Sequence, residues 1–167
     1  WSYRVDLADG LPLFGTRAAF WRGICEELLF FIAGDTNSKH LEDKGINIWK
    51  ANTTREFLDG RGLDYKEGDM GPMYGWNWRH YGAKYVGMDA DYSAQGMDQL
   101  CEVLHKLQKD PNDRRILMTA FDPSKVRESV LAPCHSIVNQ FYVREAVDNG
   151  TGLRVKYLDM YTYQRSA

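Results

Sequence analysis

An asparagine-glycine pair near the C-terminal end constrains the fold of this chain more than any other feature. Asn149-Gly150 stands within DNGTG, between two strand-like runs around Ser136–Arg144 and Leu153–Tyr163. Asn-Gly is among the strongest short-range signals for a hairpin, because both residues tolerate the left-handed backbone of a tight turn. We therefore predict that the two runs pair as antiparallel strands.

The register of this hairpin can be extended outward from the turn. Three pairs follow from it, with allowance for a bulge that shifts them by one or two residues: Val147 with Leu153, His135 with Arg165, and Cys134 with Ser166.

Two other stretches carry helical periodicity. From Thr16 to Ala33, apolar residues recur at helical spacing and predict a mostly buried helix that ends at Gly34. The predicted buried stripe consists of Phe20, Trp21, Ile24, Leu28, Phe31 and Ile32. A second amphipathic helix is predicted between Gly96 and Asp110-Pro111, with Cys101 on its buried face.

A continuous apolar run, RRILMTAF, is typical of a strand that is covered on both faces. Asp122-Pro123 follows it, and this pair suits the first positions of a short helix. The aromatic segment GPMYGWNWRHYG is expected to form an ordered loop over the core. The chain is therefore predicted to be one α/β domain of the α+β kind over residues 1–167, with a mixed, largely antiparallel sheet covered by helices.

Composition excludes several classes of function. The 167 residues carry a formal net charge of −2, which argues against a dedicated nucleic-acid surface. The longest apolar run, Leu28 to Ala33, is too short to span a bilayer, and no signal peptide is evident. The three cysteines lie far apart and show no metal-ligand spacing, so we expect no metal and reduced thiols in the cytoplasm.

The segment LAPCHS offers a candidate nucleophile, Cys134. The predicted register gathers Arg165, Ser166 and His135 around its sulfur, a set that can bind an anionic substrate and favour the thiolate. The alternative is a structural cysteine at the start of a strand. A Cys-His hydrolase is disfavoured, since adjacent residues of a strand point to opposite faces and His135 is badly placed to act as the base.

Two adjacent glutamates on the first predicted helix differ in their expected surroundings. Glu26 points away from the apolar stripe, whereas Glu27 lies at its edge. Apolar neighbours raise the pKa of a carboxyl group and suit it to proton transfer, so Glu27 is the candidate and Glu26 is expected to be dispensable.

Six blocks occur in order along the chain: WRGICEELLFFIAGDTN, GINIWKAN, GPMYGWNWRHYG, DPNDRRI, LAPCHS and YQRS. Together they resemble the thymidylate synthase family, from about Arg4 to Ser166. The resemblance implies a homodimer in the cytoplasm that methylates deoxyuridine monophosphate (dUMP), with methylenetetrahydrofolate as both carbon donor and reductant. It also implies a sheet that packs at the dimer interface.

The resemblance assigns roles to individual residues. The implied catalytic residues are Cys134, which adds to carbon six of the uracil ring, Glu27, which organises proton transfer, and Tyr74, near the proton that leaves carbon five. The implied substrate ligands are Arg165 and Ser166 at the phosphate, Gln164, an orienting His135, and Arg114 and Arg115 reaching the phosphate site of the partner subunit. The residues on the folate side are Trp49 and Asn52.

The sequence departs from the family pattern in several places. Lys50 stands where an aspartate is usual, and one extra residue follows Cys134, for which we expect a bulge. Family elements are missing at both ends, so we expect an incomplete catalytic domain. The alternatives are a dUMP or deoxycytidylate hydroxymethylase of the same superfamily and, in another class, a non-catalytic regulatory or RNA-binding fragment.

Overall fold

The chain folds into helices packed around a small antiparallel sheet. The computed structural model describes residues 2–13, 15–16 and 18–165. The helices in this part are α1 (Trp21–Ile32), α2 (Lys39–Glu42), α3 (Arg55–Gly60), α4 (Gly75–His80) and α5 (Gln99–Lys109). The strands are β1 (Leu117–Thr119), β2 (Val138–Val147) and β3 (Arg154–Tyr163), in the order β1-β2-β3 with both pairs antiparallel. The predicted mixture of helices and antiparallel sheet is confirmed.

The predicted hairpin is present, but its register differs by one residue. Val147 pairs with Arg154, not with Leu153. The Asp148 carboxylate accepts hydrogen bonds from the main-chain N–H groups of Gly150, at 3.1 Å, and Thr151, at 2.7 Å, so a wider loop replaces the two-residue turn. This side-chain capping competes with the turn type that Asn-Gly favours.

The pairing changes again at the other end of the hairpin. The N–H of Arg165 donates to the carbonyl oxygen of Cys134 at 2.7 Å, so Arg165 lies opposite Cys134 and not His135, a shift of one residue that is within the allowance made for a bulge. Ser136 has a φ of 49°, a left-handed conformation that is uncommon outside glycine. The backbone therefore bulges between Cys134 and β2, as expected from the extra residue, and the predicted partner Ser166 lies outside the described residues.

Helix α1 is shorter than predicted and buries a different face. It begins at Trp21 and is followed by Gly34 with a φ of 73°. Of the predicted stripe, only Phe31 is buried, while the other five residues are 38–56% exposed. The helix is apolar on nearly all sides, so periodicity does not define its packed face. A Cβ atom on Gly75 would lie 2.2 Å from the carbonyl oxygen of Phe31, and this close approach to α4 selects the buried side.

The burial predicted for Cys101 is also wrong. Cys101 on α5 is exposed, because the buried face of this helix is defined by Gln99 and Val103. The amide of Gln99 donates to the carbonyl oxygen of Asn77 at 2.7 Å and accepts from the N–H of Thr119 at 3.0 Å. A hydrogen-bonded polar residue thus occupies a core position that the apolar pattern does not reveal.

Strand β1 and the segment after it also differ from the prediction. Leu117 is 43% exposed, so the strand is covered on one face and not on both. The Asp122 carboxylate caps a turn by accepting from the N–H of Ser124 at 2.9 Å, and a single 3-10 turn follows at Val126–Glu128. The short helix therefore begins later than expected.

The main core lies between helices α1, α4 and α5 and the sheet. Its fully buried members come from distant parts of the sequence and include Leu41, Leu58, Met70, Ile116 and Val130. The GPMYGWNWRHYG segment is buried as expected, although it forms α4 and is not a loop throughout. Tyr74, the residue before α4, is held inside this core.

Candidate active site

Cys134 lies half-buried on the irregular segment between Val130 and β2. Val130 is fully buried, and its N–H donates to the carbonyl oxygen of Met70 at 3.1 Å, which fixes one end of the segment. At the other end, the hydroxyl of Thr119 donates to the carbonyl oxygen of Ile137 at 2.6 Å. The segment is thus anchored on both sides of the thiol.

The side chain of Tyr74 contacts Cys134 directly. Its phenol oxygen accepts a hydrogen bond from the N–H of Cys134 at 3.0 Å and lies 3.6 Å from Sγ. The ring stacks on Phe31 and on His135, each with a centroid separation of 4.7 Å. Burial raises the pKa of Tyr74 above its usual range, so the phenol keeps its proton at neutral pH.

The backbone of Tyr74 is strained. Its φ of 42° with a ψ of −106° lies in a region that residues other than glycine rarely occupy. Such a conformation costs about 1–3 kcal/mol and persists only when its surroundings enforce it. Two glycines near Tyr74 allow other parts of the backbone to approach closely: Cβ atoms at Gly71 and Gly75 would meet carbonyl oxygens at 2.4 and 2.2 Å.

Glu27 joins the same cluster through Trp49. The indole N–H of Trp49 donates to Oε1 of Glu27 at 2.7 Å, and the indole packs edge-on against Tyr74 with centroids 5.9 Å apart. Burial raises the pKa of Glu27, while the bond from Trp49 opposes the shift. Its neighbour Glu26 instead forms an ion pair with Lys44 at 2.8 Å, so the two glutamates do lie in different surroundings.

Two residues next to Cys134 in space complete the cluster. The guanidinium of Arg165 donates to the carbonyl oxygen of Ala132 at 3.4 Å and is otherwise exposed. Burial lowers the pKa of His135, so its imidazole is neutral at neutral pH. A neutral imidazole can orient a substrate by hydrogen bonding, but it adds no positive charge for an anion. Gln164 is exposed at the end of β3.

The remaining predicted site residues lie apart from the thiol. Arg114 and Arg115 are exposed before β1, and Arg115 forms an ion pair with Asp113 at 2.9 Å. In the part of the chain that the structure describes, no hydrogen bond or ion pair joins either arginine to Cys134. Asn52 is half-buried in the turn after Trp49, and Lys50 pairs with Glu42 at 3.7 Å.

Sequence reasoning missed one buried acid close to this cluster. Asp69 is 1% exposed and accepts hydrogen bonds from three groups, among them the N–H of Gly71. Asp69 lies two residues before the first glycine of GPMYG. A single aspartate in a loop belongs to no periodic pattern that would mark it as buried. Only the tertiary contacts identify it.

Neither a metal centre nor a membrane segment is found among the described residues. No group of three or more His, Cys, Asp or Glu side chains is arranged to hold a metal ion there. The helices of that same part are too short and too polar to cross a bilayer.

The fold and the cluster define a class of protein: an α+β domain that presents a cysteine thiol beside a buried phenol, a neutral imidazole and a desolvated carboxyl group. Comparison with known proteins specifies it further. The family model described as thymidylate synthase matches residues 1–167, and the chain belongs to this family. Thymidylate synthases are methyltransferases that use methylenetetrahydrofolate, so the family is enzymatic.

Individual relatives agree with the family model. The chain is 49% identical over 165 residues to bifunctional dihydrofolate reductase-thymidylate synthase 1 of Arabidopsis thaliana, covering 98% of this chain and 30% of that protein. It is 52% identical over 158 residues to a probable thymidylate synthase of Schizosaccharomyces pombe, covering 94% and 25%. It is 51% identical over 141 residues to thymidylate synthase of Bos taurus, covering 84% and 40%.

The chain thus spans about 30% of the length of the plant relatives that it matches. The hydroxymethylase and the non-catalytic alternatives are not favoured by these comparisons.

Proposed function

We propose that the protein catalyses the reductive methylation of dUMP to thymidine monophosphate, with methylenetetrahydrofolate as the second substrate. The observation that carries this proposal is the contact of Tyr74 with Cys134, in one cluster with Glu27. A free thiol, a protonated phenol and a desolvated carboxyl group are the groups that this reaction needs from the protein.

In the proposed mechanism, the Cys134 thiolate adds to carbon six of the uracil ring. The C–S bond converts the ring into an enolate. Carbon five of the enolate then attacks the methylene carbon of the folate, whose bond to one of its two nitrogens breaks, and the later elimination breaks the bond to the other. Loss of the proton from carbon five and elimination of the folate follow. Hydride transfer from the folate then gives the methyl group, and the C–S bond breaks to release Cys134.

Glu27 and Tyr74 serve the proton transfers. A carboxyl group with a raised pKa exchanges protons near neutral pH more readily than an exposed one, which suits Glu27 to the pyrimidine. Tyr74 keeps its phenol proton and directs it toward the sulfur or the ring. Trp49 and Asn52 are proposed to lie on the folate side. Trp49 is 7% exposed and hydrogen-bonded to Glu27, so it also holds this carboxylate in place.

The phosphate of dUMP is proposed to bind to arginine. Arg165 is tied to Cys134 by a main-chain hydrogen bond, and its guanidinium suits phosphate oxygens. Ser166 and Gln164, its neighbours in sequence, are proposed to bind the phosphate with it. Arg114 and Arg115 are proposed to reach the phosphate site of a second copy in a homodimer, which agrees with their exposure. The free thiols of all three cysteines agree with a cytoplasmic location.

The decisive experiment traps the covalent adduct. The protein is incubated with fluorodeoxyuridylate and methylenetetrahydrofolate. Fluorine replaces the hydrogen that must leave carbon five as a proton, so the reaction stops at that step and the adduct accumulates. Mass spectrometry of peptides should locate the adduct on Cys134, and the Cys134→Ser variant should form none. A folded protein that forms no adduct would contradict the proposal, and chromatography of the dUMP product distinguishes a methyl from a hydroxymethyl group.

A further inference from the structure

A buried carboxylate, that of Asp69, lies five residues before Tyr74 in the chain. Oδ1 of Asp69 accepts the N–H of Gly71 at 2.8 Å and the O–H of Tyr85 at 2.5 Å. Oδ2 accepts the N–H of Met88 at 2.9 Å. The hydroxyl of Tyr85 also lies 2.9 Å from that of Thr36, so the carboxylate belongs to a buried polar network.

Burial of this carboxylate costs free energy, so we expect it to have a role in the structure around it. Burial raises the pKa of Asp69, and the three donors oppose that shift by stabilising the charged form. A lone carboxylate is rarely buried without such partners. Apolar residues would fill this space at lower cost, so the contacts themselves indicate what the acid does.

The contacts of Asp69 lead along the chain to the thiol. Asp69 is connected to Tyr74 by residues 69–74, here called the strap. Further hydrogen bonds hold the strap: Val130 donates to the carbonyl oxygen of Met70 at 3.1 Å, and the hydroxyl of Ser129 donates to that of Pro72 at 3.2 Å. The strap therefore lies between the Asp69 network and the segment that carries Cys134.

The strap has to hold an unfavourable conformation. Gly71 has a φ of 74° and Tyr74 a φ of 42°. Helix α4 fixes the end after Tyr74, and the hydrogen bonds of Asp69, Met70 and Pro72 together fix the end before it. Loss of the Asp69 bonds removes one of these anchors, so the strained residue relaxes more readily toward an ordinary conformation and withdraws its phenol from Cys134.

We propose that Asp69 is a positioning residue, which holds the strap through Gly71 and Tyr85 so that the phenol of Tyr74 stays in contact with Cys134. The consequence for catalysis rests on the proposed function, whereas the consequence for the thiol does not. Among the described residues, the hydrogen-bond donors to Asp69 are Gly71, Tyr85 and Met88, none of them Cys134, so Asp69 acts through Tyr74.

The test is a double-mutant cycle read out on the thiol. Iodoacetamide is added to the folded protein, and the alkylation rates of Cys134 and Cys25 are measured by mass spectrometry. Tyr74→Phe should slow the alkylation of Cys134 by about threefold, because the thiolate loses a hydrogen-bond donor. Asp69→Asn should slow it in the same direction, and Asp69→Asn in the Tyr74→Phe background should slow it no further.

Two controls separate positioning from general loosening. Asp64→Asn removes the same charge from an exposed carboxylate near Asp69 and should leave the rate unchanged. Cys25 serves as the internal standard, since a loosened fold changes both thiols together. The proposal would be overturned if the fold-changes of Asp69→Asn and Tyr74→Phe in the alkylation rate of Cys134 multiply in the double variant. An equal change in the rate of Cys25 would also overturn it.

A second variant covers the case in which Asp69→Asn does not fold. Tyr85→Phe deletes only the hydroxyl that donates to Oδ1, and it should give a smaller slowing that again disappears in the Tyr74→Phe background. If the parent protein forms no pyrimidine adduct while the alkylation rates remain coupled, the proposed function fails and the positioning role stands. If turnover is intact and the effects multiply, the positioning role fails alone.

Discussion

At the scale of single residues, the structure separates two carboxylates that are adjacent in sequence. Glu27 accepts a hydrogen bond from the buried indole of Trp49, whereas Glu26 forms an ion pair with Lys44 at the surface. Helical geometry explains the difference, because adjacent residues are rotated by about 100° around the axis. The sequence predicts that the two glutamates differ. The prediction was based on an apolar stripe of α1 that proves to be mostly exposed.

The first prediction compares these two glutamates. Glu27→Gln should lower kcat at least about 100-fold, the usual contribution of a group that transfers protons. Glu26→Gln, one position away on the same helix, should change kcat less than about twofold, since an ion pair at the surface contributes little. Steady-state kinetics with dUMP measures both. Equal losses in the two variants would show that Glu27 has no special role.

Glu27 also has a testable effect on stability. Its pKa is raised above the ordinary 4.5, so its contribution to stability is fully present below the unfolded-state pKa and is lost as the pH rises through the folded-state value. Glu27→Gln keeps an oxygen for Trp49 and never carries the charge. Urea unfolding should therefore show the variant gaining stability relative to the parent between pH about 4 and pH about 8. A difference that stays constant with pH would contradict this.

At the scale of elements, one glycine sets the packing of α1 against α4. The missing side chain of Gly75 lets the backbone of α4 meet the carbonyl of Phe31, with the ring of Tyr74 stacked on the ring of Phe31. This contact links α1 to the residue that touches the thiol, and it also determines which side of α1 is buried.

The prediction at this scale uses a matched pair of helical glycines. Gly75→Ala should lower the free energy of unfolding by about 3 kcal/mol, because the methyl group would overlap backbone atoms that cannot move aside. Gly60→Ala at the end of α3, where no atom lies within 4 Å of the added Cβ, should be neutral or slightly stabilising. Urea unfolding followed by circular dichroism measures both variants, and equal effects would refute the close-packing explanation.

The elements also show how far sequence reasoning reaches. Local signals predicted the hairpin, the extent of α5 and the bulge after Cys134, since helix boundaries, turn chemistry and an extra residue act over a few positions. The buried face of α1 was not predictable, because residues such as Ile24 and Phe31 are equally apolar and only Gly75, far along the chain, decides between them. Asp69 was missed for the same reason: its donors Tyr85 and Met88 come from another segment.

At the scale of the whole molecule, the described residues place the candidate chemistry in two separate regions. Cys134, Tyr74 and Glu27 form one cluster inside the chain. Arg114 and Arg115 lie exposed before β1, with Arg115 held by Asp113. Guanidinium groups suit the binding of phosphate, and an exposed pair that is not joined to the thiol of its own chain suits delivery to a second copy. This separation agrees with the proposed homodimer.

The last prediction tests that delivery by mixing two inactive variants. One chain carries Arg114→Ala with Arg115→Ala, and the other carries Cys134→Ser. After dissociation and reassociation, half of the dimers should be mixed, and each mixed dimer should contain one site with an intact thiol and intact arginines, so that activity returns to about a quarter of the parent value. A mixture of Cys134→Ser and Cys134→Ala chains has no intact nucleophile and should stay inactive. If the first mixture forms mixed dimers and still shows no activity, the arginines act within their own chain.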